Sequence, residues 1–463
     1  MSHLVKRCTN VQKLELSWRV SNSREQEISL ELASNGLPGT ITDLDLSLHI
    51  GCHLLFFTPT LFSQGSAALR RLRISSYVNY HPEHNWVSKE QVDESVKQGT
   101  QEVEEEGLLP SLKELEMAYK FSKYPQPPLS HQFLRRCPNL ETLDVDILEN
   151  NWIEALRTCD NLKTLKVRVF KNAALPLAAV LKTALPNLDT INARYTTCTD
   201  EDMATMLSAC RKGWRSVDIM SAGSLTSEAL IKHCSTLETL KLTQASMLTS
   251  KHMQRILSNS PRLQCFVTLL EGHSQSWSRE ECTHIWTEDF IDADPSSGSL
   301  KPWACEASLK VFRAKISGVP RPDITSTFNG HPLQEGMVLQ EAFPGQSREI
   351  QGRVYERLAR LSRLERLELG HEDRDLDDVC KNAMSEKEYA EMEDEDQQYD
   401  CLDMTLKNGL WKLEGLREMR ILGVERMTLM MGPEEEHWMR QHWLKLECVE
   451  RDWDYRGRQE AKA

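Results

Sequence analysis

The chain has 463 residues, 13 cysteines and a formal net charge of −13, and 40% of its residues are hydrophobic. This composition is typical of globular proteins and excludes collagen-like and disordered chains. The longest apolar run, Leu54–Phe57, is far shorter than the roughly 20 residues of a membrane helix. No apolar run of signal-peptide length follows Met1. We therefore expect no membrane partner and a cytoplasmic or nuclear location.

One pattern recurs along the chain: an apolar residue, two others, a second apolar residue, one other and a third apolar residue. Leu112-Lys-Glu-Leu115-Glu-Met117 is a clear copy. In chain order the copies start at Val11, Ile41, Leu69, Leu112, Leu140, Leu162, Leu188, Trp214, Leu237, Leu263, Leu309, Leu364, Leu416 and Leu444. From Leu140 to Leu263 the starts are 22, 26, 26, 23 and 26 residues apart.

Each copy predicts a strand, and the segments between copies predict helices. The second and third apolar positions lie two residues apart and share one face of a strand. Apolar residues at helical spacing follow in residues 178–185, 201–210, 227–234 and 250–257. Three threonines stand where a helix N-cap is expected, namely Thr199, Thr226 and Thr249.

A strand and a helix every 20–29 residues are the signature of leucine-rich repeats. The sequence therefore predicts an α/β fold, a single leucine-rich-repeat solenoid over residues 1–463 with about fourteen strand-bearing units. One unit cannot bury its apolar face alone, so the units stack on a continuous core. The rule for parallel crossovers makes the solenoid right-handed, with parallel strands on the concave face and helices on the convex face.

The cysteines follow the same repeat. Cys8, Cys137, Cys159 and Cys234 precede a repeat start by three residues, and Cys210 precedes one by four. A small thiol at this turn is expected to be buried. The odd total fits reduced thiols better than a disulfide framework.

Five intervals between repeat starts exceed ordinary repeat length, the one at Ile41 only marginally, and four stretches within the long intervals are interpreted as insertions. They are a charged segment at residues 87–107, a loop at residues 274–302, a Pro/Gly-rich segment at residues 318–345 and an acidic segment at residues 372–400. The last contains 13 acidic and three basic residues, a net charge of −10, so the rest of the chain carries only −3. We interpret it as solvated, with docking of a basic partner as the alternative.

Catalytic and metal motifs are absent from the sequence. It contains no glycine-rich nucleotide loop, no Gly-x-Ser-x-Gly elbow and no His-Glu-x-x-His pair. Cys282, His284 and Cys305 lack paired zinc-ligand spacing, and the five-residue interval between His437 and His442 does not fit one helical face. Asp373–Asp378 lacks the glycine and terminal glutamate of a calcium loop. We therefore predict no cofactor, no metal site and no enzymatic activity.

The strand residues between the second and third apolar positions are the candidate binding residues. They face away from the core and line up on the concave face. With two arginines that lie two residues further along their strands, the set is Glu116, Asp144, Lys166, Arg168, Asn192, Arg194, Asp218 and Lys241. Two interpretations of this row stay open: a solvated face without a partner, and a protein-binding face, because complementary charges of both signs give partner specificity. The acidic total argues against nucleic acid.

Two stretches, Cys137-Pro-Asn-Leu-Glu-Thr-Leu143 and Leu225-Thr-Ser-Glu-Ala-Leu230, resemble the cysteine-containing, ribonuclease-inhibitor-like repeats of F-box proteins. The C-terminal third is similar to fungal F-box/leucine-rich-repeat proteins at residues 309–322, 352–361 and 431–439. The sequence contains no visible F-box. It also lacks the asparagine of the commonest repeat consensus, since that place holds Leu148, Phe170, Thr196 and Ala245.

The resemblance implies a non-catalytic module that recognises the substrates of an SCF-type (cullin-RING) ubiquitin ligase. A ligase adaptor is then a partner only if an F-box lies outside this sequence, and the target protein is unknown. The alternative is a free-standing repeat scaffold or inhibitor. A minor alternative is an activator of a GTPase that would supply Arg168, Asn192 or Arg194.

Overall fold

The computed structural model describes residues 10–19, 39–49, 68–77, 108–120, 131–148, 150–170, 173–196, 198–219, 222–242, 248–268, 284–319, 327–328, 331–332, 344–369, 402–424 and 431–450. The chain divides into two units, Met1–Trp214 (unit 1) and Arg215–Ala463 (unit 2). Among the described residues, none of the helices combines the length and the apolarity that a bilayer crossing needs.

Unit 1 contains a parallel sheet in which each strand pairs with the next one along the chain. Its strands are β1 (Lys13–Arg19), β2 (Asp43–His49), β3 (Arg71–Tyr77), β4 (Glu114–Lys120), β5 (Thr142–Leu148), β6 (Thr164–Phe170) and β7 (Thr190–Thr196). Helices connect the later strands: α1 (Gln132–Arg135), α2 (Asn150–Ala155) with the 3-10 turn η1 (Leu156–Thr158), α3 (Ala174–Thr183) and α4 (Asp200–Ser208).

Unit 2 repeats this arrangement with shorter strands and more irregular connections. Its strands are β8 (Ser216–Ile219), β9 (Thr239–Leu242), β10 (Cys265–Val267), β11 (His284–Trp286), β12 (Val311–Arg313), β13 (Lys315–Ser317), β14 (Thr327–Phe328), β15 (His331–Pro332), β16 (Arg366–Glu368), β17 (Ile421–Gly423) and β18 (Cys448–Glu450). Its helices are α5 (Ser224–Ile231), α6 (Ser250–Asn259), α7 (Thr287–Phe290), α8 (Pro344–Ala359), η2 (Leu406–Asn408), η3 (Leu410–Gly415) and α9 (Pro433–His442).

The main sheet of unit 2 is parallel and runs in the order β8-β9-β10-β12-β16-β17-β18. Beside it, β11 pairs in parallel with β13, and β14 pairs antiparallel with β15. Every predicted repeat start is followed by a strand of one of the two main sheets. The prediction of an α/β leucine-rich-repeat fold is therefore confirmed.

The core of each unit is a set of aligned rows of apolar side chains. In unit 1, Leu72 lies opposite Leu115, and the row continues through Leu143 and Leu165 to Ile191. All five are fully buried. The corresponding row of unit 2 is Val217, Leu240, Phe266, Phe312, Leu367 and Leu422. Each such side chain contributes about 1.5–3 kcal/mol by burial, so the apolar rows drive the stacking of successive repeats within each unit.

Two of the three predicted helix caps are confirmed. The hydroxyls of Thr199 and Thr249 accept hydrogen bonds from the third residue of α4 and of α6. The prediction for Thr226 is wrong, because α5 begins at Ser224 after an extended Gly223. This earlier start places Thr226, Ala229 and Leu230 on the buried face of the helix.

A buried arginine of α8 organises the segment between β11 and β12. The Arg357 guanidinium donates to the carbonyl oxygens of Phe290, Lys301 and Asp292 at 3.1, 2.5 and 3.3 Å. It also bonds the Glu306 carboxylate at 3.2 Å and lies over the Trp303 ring, 4.8 Å from its centroid. Burial lowers the pKa of Arg357, and these acceptors offset the cost of its desolvation.

The predicted insertions lie mostly outside the described residues. This is so for residues 87–107, 274–283 and 372–400. Residues 284–302 hold β11, α7 and an isolated bridge between Ala293 and Leu300. In the stretch 318–345, the structure describes residues 318–319, the hairpin β14–β15 and the first residues of α8.

The prediction of buried repeat thiols is confirmed for Cys137, Cys159, Cys210 and Cys234, which are buried and unpaired. Cys8 lies outside the described residues. The Cys210 thiol donates to the Leu188 carbonyl of the preceding repeat at 3.4 Å. Burial raises the pKa of Cys159 to about 11, so this thiol stays protonated at neutral pH.

We predict that Cys137→Ser and Cys159→Ser each lower the free energy of unfolding by about 1–3 kcal/mol, because a hydroxyl is more costly to desolvate than a thiol. Urea unfolding measures the effect. Cys448→Ser is the matched control, since Cys448 is exposed. If the two buried substitutions were as neutral as the control, the thiols would not be part of the packed core.

Candidate interaction face

In each unit we call the surface of the main sheet that points away from the core the strand face. The strand residues on this face form two rows. The central row of unit 1 joins Glu15, Asp45, Arg73, Glu116, Asp144, Lys166 and Asn192, each opposite the next in the register. The central row of unit 2 joins Asp218, Lys241, Val267, Arg313, Glu368, Gly423 and Glu450. In each unit, the residues of the outer row precede those of the central row by two positions on every strand.

Six of the eight predicted binding residues lie in these central rows. Glu116, Asp144, Lys166 and Asn192 are consecutive in unit 1, and Asp218 and Lys241 are neighbours in unit 2. Arg168 and Arg194 lie on β6 and β7, but their side chains are outside what the structure describes. Asp218 differs from the others because it is buried.

The central row of unit 1 is a partly exposed series of ion pairs. Arg73 lies 2.7 Å from the Glu116 carboxylate on β4 and 3.6 Å from that of Asp45 on β2. Lys166 lies 3.5 Å from Asp144. The hydrogen bond to Glu116 is the largest cause that raises the pKa of Arg73. These exposed pairs present fixed charges of both signs to a partner.

A second ion-pair series precedes the strands and was missed by the sequence analysis. The Glu141 carboxylate accepts hydrogen bonds from Lys113 at 2.7 Å and from Lys163 at 2.6 Å. These two bonds lower the pKa of Glu141 to about 2. Alternating charge at the residue after each repeat start from Leu112 to Leu237 was the signal that could have revealed the series.

An asparagine ladder connects the turns of four neighbouring repeats. Asn139 donates to the Pro110 carbonyl at 2.9 Å, Asn161 to the Asn139 side chain at 3.1 Å, and Asn187 to the Asp160 carbonyl at 3.0 Å. The asparagines stand directly before the repeat-start leucines, a different place from the consensus position. The ladder fixes the turns that enter the strands.

The central row of unit 2 contains a buried charge cluster. The Glu368 carboxylate pairs with Arg313 on β12 and with Arg366 on its own strand. Arg313 and Glu368 are each only 6% exposed at the side chain. Gly423 leaves the space for this carboxylate, because a Cβ atom there would lie 2.6 Å from Cγ of Glu368.

The outer row of unit 2 contains partly exposed apolar side chains on three strands, whereas the outer row of unit 1 is polar throughout. In unit 1 it reads Lys13, Asp43, Arg71, Glu114, Thr142, Thr164 and Thr190. In unit 2 it reads Ser216, Thr239, Cys265, Val311, Arg366, Ile421 and Cys448. Cys265, Val311 and Ile421 are partly exposed although the core lies on the other side of the sheet.

None of the four rows contains a catalytic arrangement. No group of three or more His, Cys, Asp or Glu side chains converges within the described part of the chain. Cys282 lies outside that part, and Cys305 is buried. On α9, His442 stacks on Trp438 at 4.6 Å, and the His437 ring contacts Gln441 at 2.8 Å. Both histidines therefore have partners within their own helix.

No protein-family model matches the sequence, and no curated protein matches it. Among solved structures, a leucine-rich-repeat protein of Leptospira interrogans is similar, with 13% identity over 97% of this chain and 98% of that chain, and a TM-score of 0.32. A TLR13–ssRNA13 complex is similar with 12% identity over 89% of this chain and 56% of that chain, and a TM-score of 0.37. The repeat, the register and the buried rows of the chain itself define it as a leucine-rich-repeat protein.

We predict that Gly423→Ala lowers the free energy of unfolding by about 1–3 kcal/mol, because the new methyl group must displace a carboxylate held by two arginines. Gly415→Ala is the control, since nothing lies within 4 Å of a Cβ atom there. Urea unfolding compares the two variants. Equal stability of both would show that Glu368 does not occupy the space above Gly423.

The Glu141 pair predicts a small dependence of stability on pH. The carboxyl has a pKa of about 2 when folded and about 4.3 when unfolded. Its contribution, below about 1 kcal/mol for an exposed pair, is present above pH 4.3 and is lost as the pH falls towards 2. Glu141→Gln should therefore destabilise the protein more at pH 7 than at pH 3.

Unfolding free energies at the two pH values measure the effect of Glu141→Gln. The control is the same substitution in a chain that also carries Lys113→Gln and Lys163→Gln, where the difference between pH 7 and pH 3 should vanish. An equal effect of Glu141→Gln at both pH values in the otherwise native chain would contradict the pairing.

Proposed function

We propose that this chain is a non-catalytic protein-interaction module that binds its partner on the strand face. The observation that carries this proposal is the central row of unit 1, where exposed charges of both signs stand in register on neighbouring strands. A fixed pattern of mixed charge favours partners with the complementary pattern and rejects others. The paired backbone holds these charges in place before binding, which reduces the entropy cost of association.

A protein partner suits this row better than a nucleic acid does. Glu15, Asp45, Glu116 and Asp144 provide four carboxylates, against two cations from Arg73 and Lys166. Clustered lysines and arginines bind a phosphate backbone because they displace its condensed counterions into solution. An excess of carboxylates opposes that exchange, so we propose that the partner is not a nucleic acid.

We further propose that the target is presented to a cullin-RING ubiquitin ligase, in the cytoplasm or the nucleus. The support is the resemblance of the segments 137–143 and 225–230 to the repeats of F-box proteins. The test is a pull-down of the ligase adaptor with the full native gene product. Adaptor recovery is the expected result, and its absence would favour a free-standing scaffold or inhibitor.

We predict that Lys166→Glu and Lys241→Glu weaken partner binding by about tenfold each, which corresponds to about 1.4 kcal/mol, without lowering the melting temperature. Lys166 is exposed and Lys241 is partly exposed on the strand face. Purification of tagged chains from cells with quantitative mass spectrometry measures partner recovery. Lys251→Glu, at an exposed position of α6, is the control with the same charge change on a helix. Equal recovery with all three variants would contradict binding at the strand face.

A further inference from the structure

The outer row of unit 2 is an unusual surface for this fold. Residues that face away from the core are normally polar when they meet water, as the outer row of unit 1 is. In unit 2, partly exposed Cys265, Val311 and Ile421 occupy this row on β10, β12 and β17. Only Arg366, on the strand between Val311 and Ile421, interrupts them. We name Cys265, Val311, Arg366 and Ile421 the apolar row.

Arg366 does not break the apolar character of this row. Its guanidinium pairs with Glu368, which is buried in the central row, and lies 3.9 Å from Glu450. Two thirds of its side chain is shielded from solvent. The charge is therefore held against the sheet, and the stem of the side chain adds apolar surface between Val311 and Ile421.

Charges of opposite sign stand at the two ends of the apolar row. Beyond the β10 end, Lys241 stands on the neighbouring strand β9. At the other end, Glu450 stands on β18. An occupant of the row therefore meets a lysine beyond Cys265 and a carboxylate beyond Ile421.

We propose that the apolar row binds a polypeptide segment of a partner protein that carries apolar side chains and a carboxylate at the end nearest Lys241. This inference rests on the proposed interaction function and assigns it to one surface of unit 2. From β9 to β18 the main sheet has five strand spacings, which span about 24 Å. An extended segment of about seven residues covers that distance.

The experiment selects ligands for the full chain from a random 12-residue peptide library displayed on phage. The expected sequences combine Leu, Ile, Val or Phe with Asp or Glu at one end. A synthetic copy of a selected peptide should bind at least about tenfold more weakly to Val311→Glu and to Ile421→Glu, as expected for truncation or repulsion at the centre of an interface. Leu225→Glu is the matched control and should change binding less than about twofold, because Leu225 is an exposed leucine of α5 in the same unit.

A charge exchange tests the direction of the segment. Lys241→Glu should weaken binding of the selected peptide, and a peptide whose acidic end is replaced by lysine should recover affinity for this variant. Equal loss for both peptides would overturn the assignment of the carboxylate end to Lys241. Melting curves of all variants, which should match that of the native chain, exclude unfolding as the cause.

Other outcomes separate this proposal from the more general one. Peptides whose binding is lost with Lys166→Glu, but not with Val311→Glu, would overturn the apolar row and leave the interaction function intact. In another outcome, the molecular mass in solution doubles as the protein concentration rises, and stays that of one chain in Ile421→Glu. This result would identify a second copy as the occupant and overturn the proposal of a separate partner protein. No enrichment of any peptide, together with no partner recovered from cells, would overturn both proposals.

Discussion

The structure depends on one constraint, the parallel register that places each buried apolar residue opposite its equivalent in the next repeat. Leu115, Leu143 and Leu165 meet in this way, although 22–28 residues of chain separate successive members. Because side chains alternate along a strand, a slip of one residue would turn the whole row towards solvent. The register therefore also fixes which residues face away from the core. The candidate interaction face is a consequence of the same alignment that builds the core.

The two units follow the same register rule, but they expose different side chains on their strand faces. Unit 1 carries a partly exposed series of ion pairs that includes Arg73 and Lys166. Unit 2 buries its central ion pair, Arg313 with Glu368, and exposes apolar side chains beside it. An exposed ion pair contributes little to stability and is available to a partner. A buried pair is costly to desolvate and stays in place only with partners of good geometry, so the surface around it is fixed before any partner binds.

The repeat starts and the buried cysteines could be predicted from the sequence because they depend on local periodicity. The helix cap at Thr226 could not, since the burial of Thr226, Ala229 and Leu230 determined where α5 begins. The ion pairs depend on neighbours in other repeats: 43 residues separate Arg73 from Glu116, and 55 separate Arg313 from Glu368. The need for glycine at position 423 was also hidden, because it follows from the Glu368 side chain on the adjacent strand. Six of the eight predicted binding residues thus lie in the central rows, but their burial and pairing required the structure.

The central claim is that partners bind on the strand face of this leucine-rich-repeat protein. The most direct test is hydrogen–deuterium exchange of the full chain with and without a partner recovered from cells. If partners bind on the strand face, exchange slows upon binding in strand segments such as residues 142–148 and 164–170 of unit 1, or 265–267 and 311–313 of unit 2. The helices α3, α5 and α6 should exchange at unchanged rates. Slower exchange confined to those helices, with unchanged exchange rates in the strands, would contradict binding on the strand face.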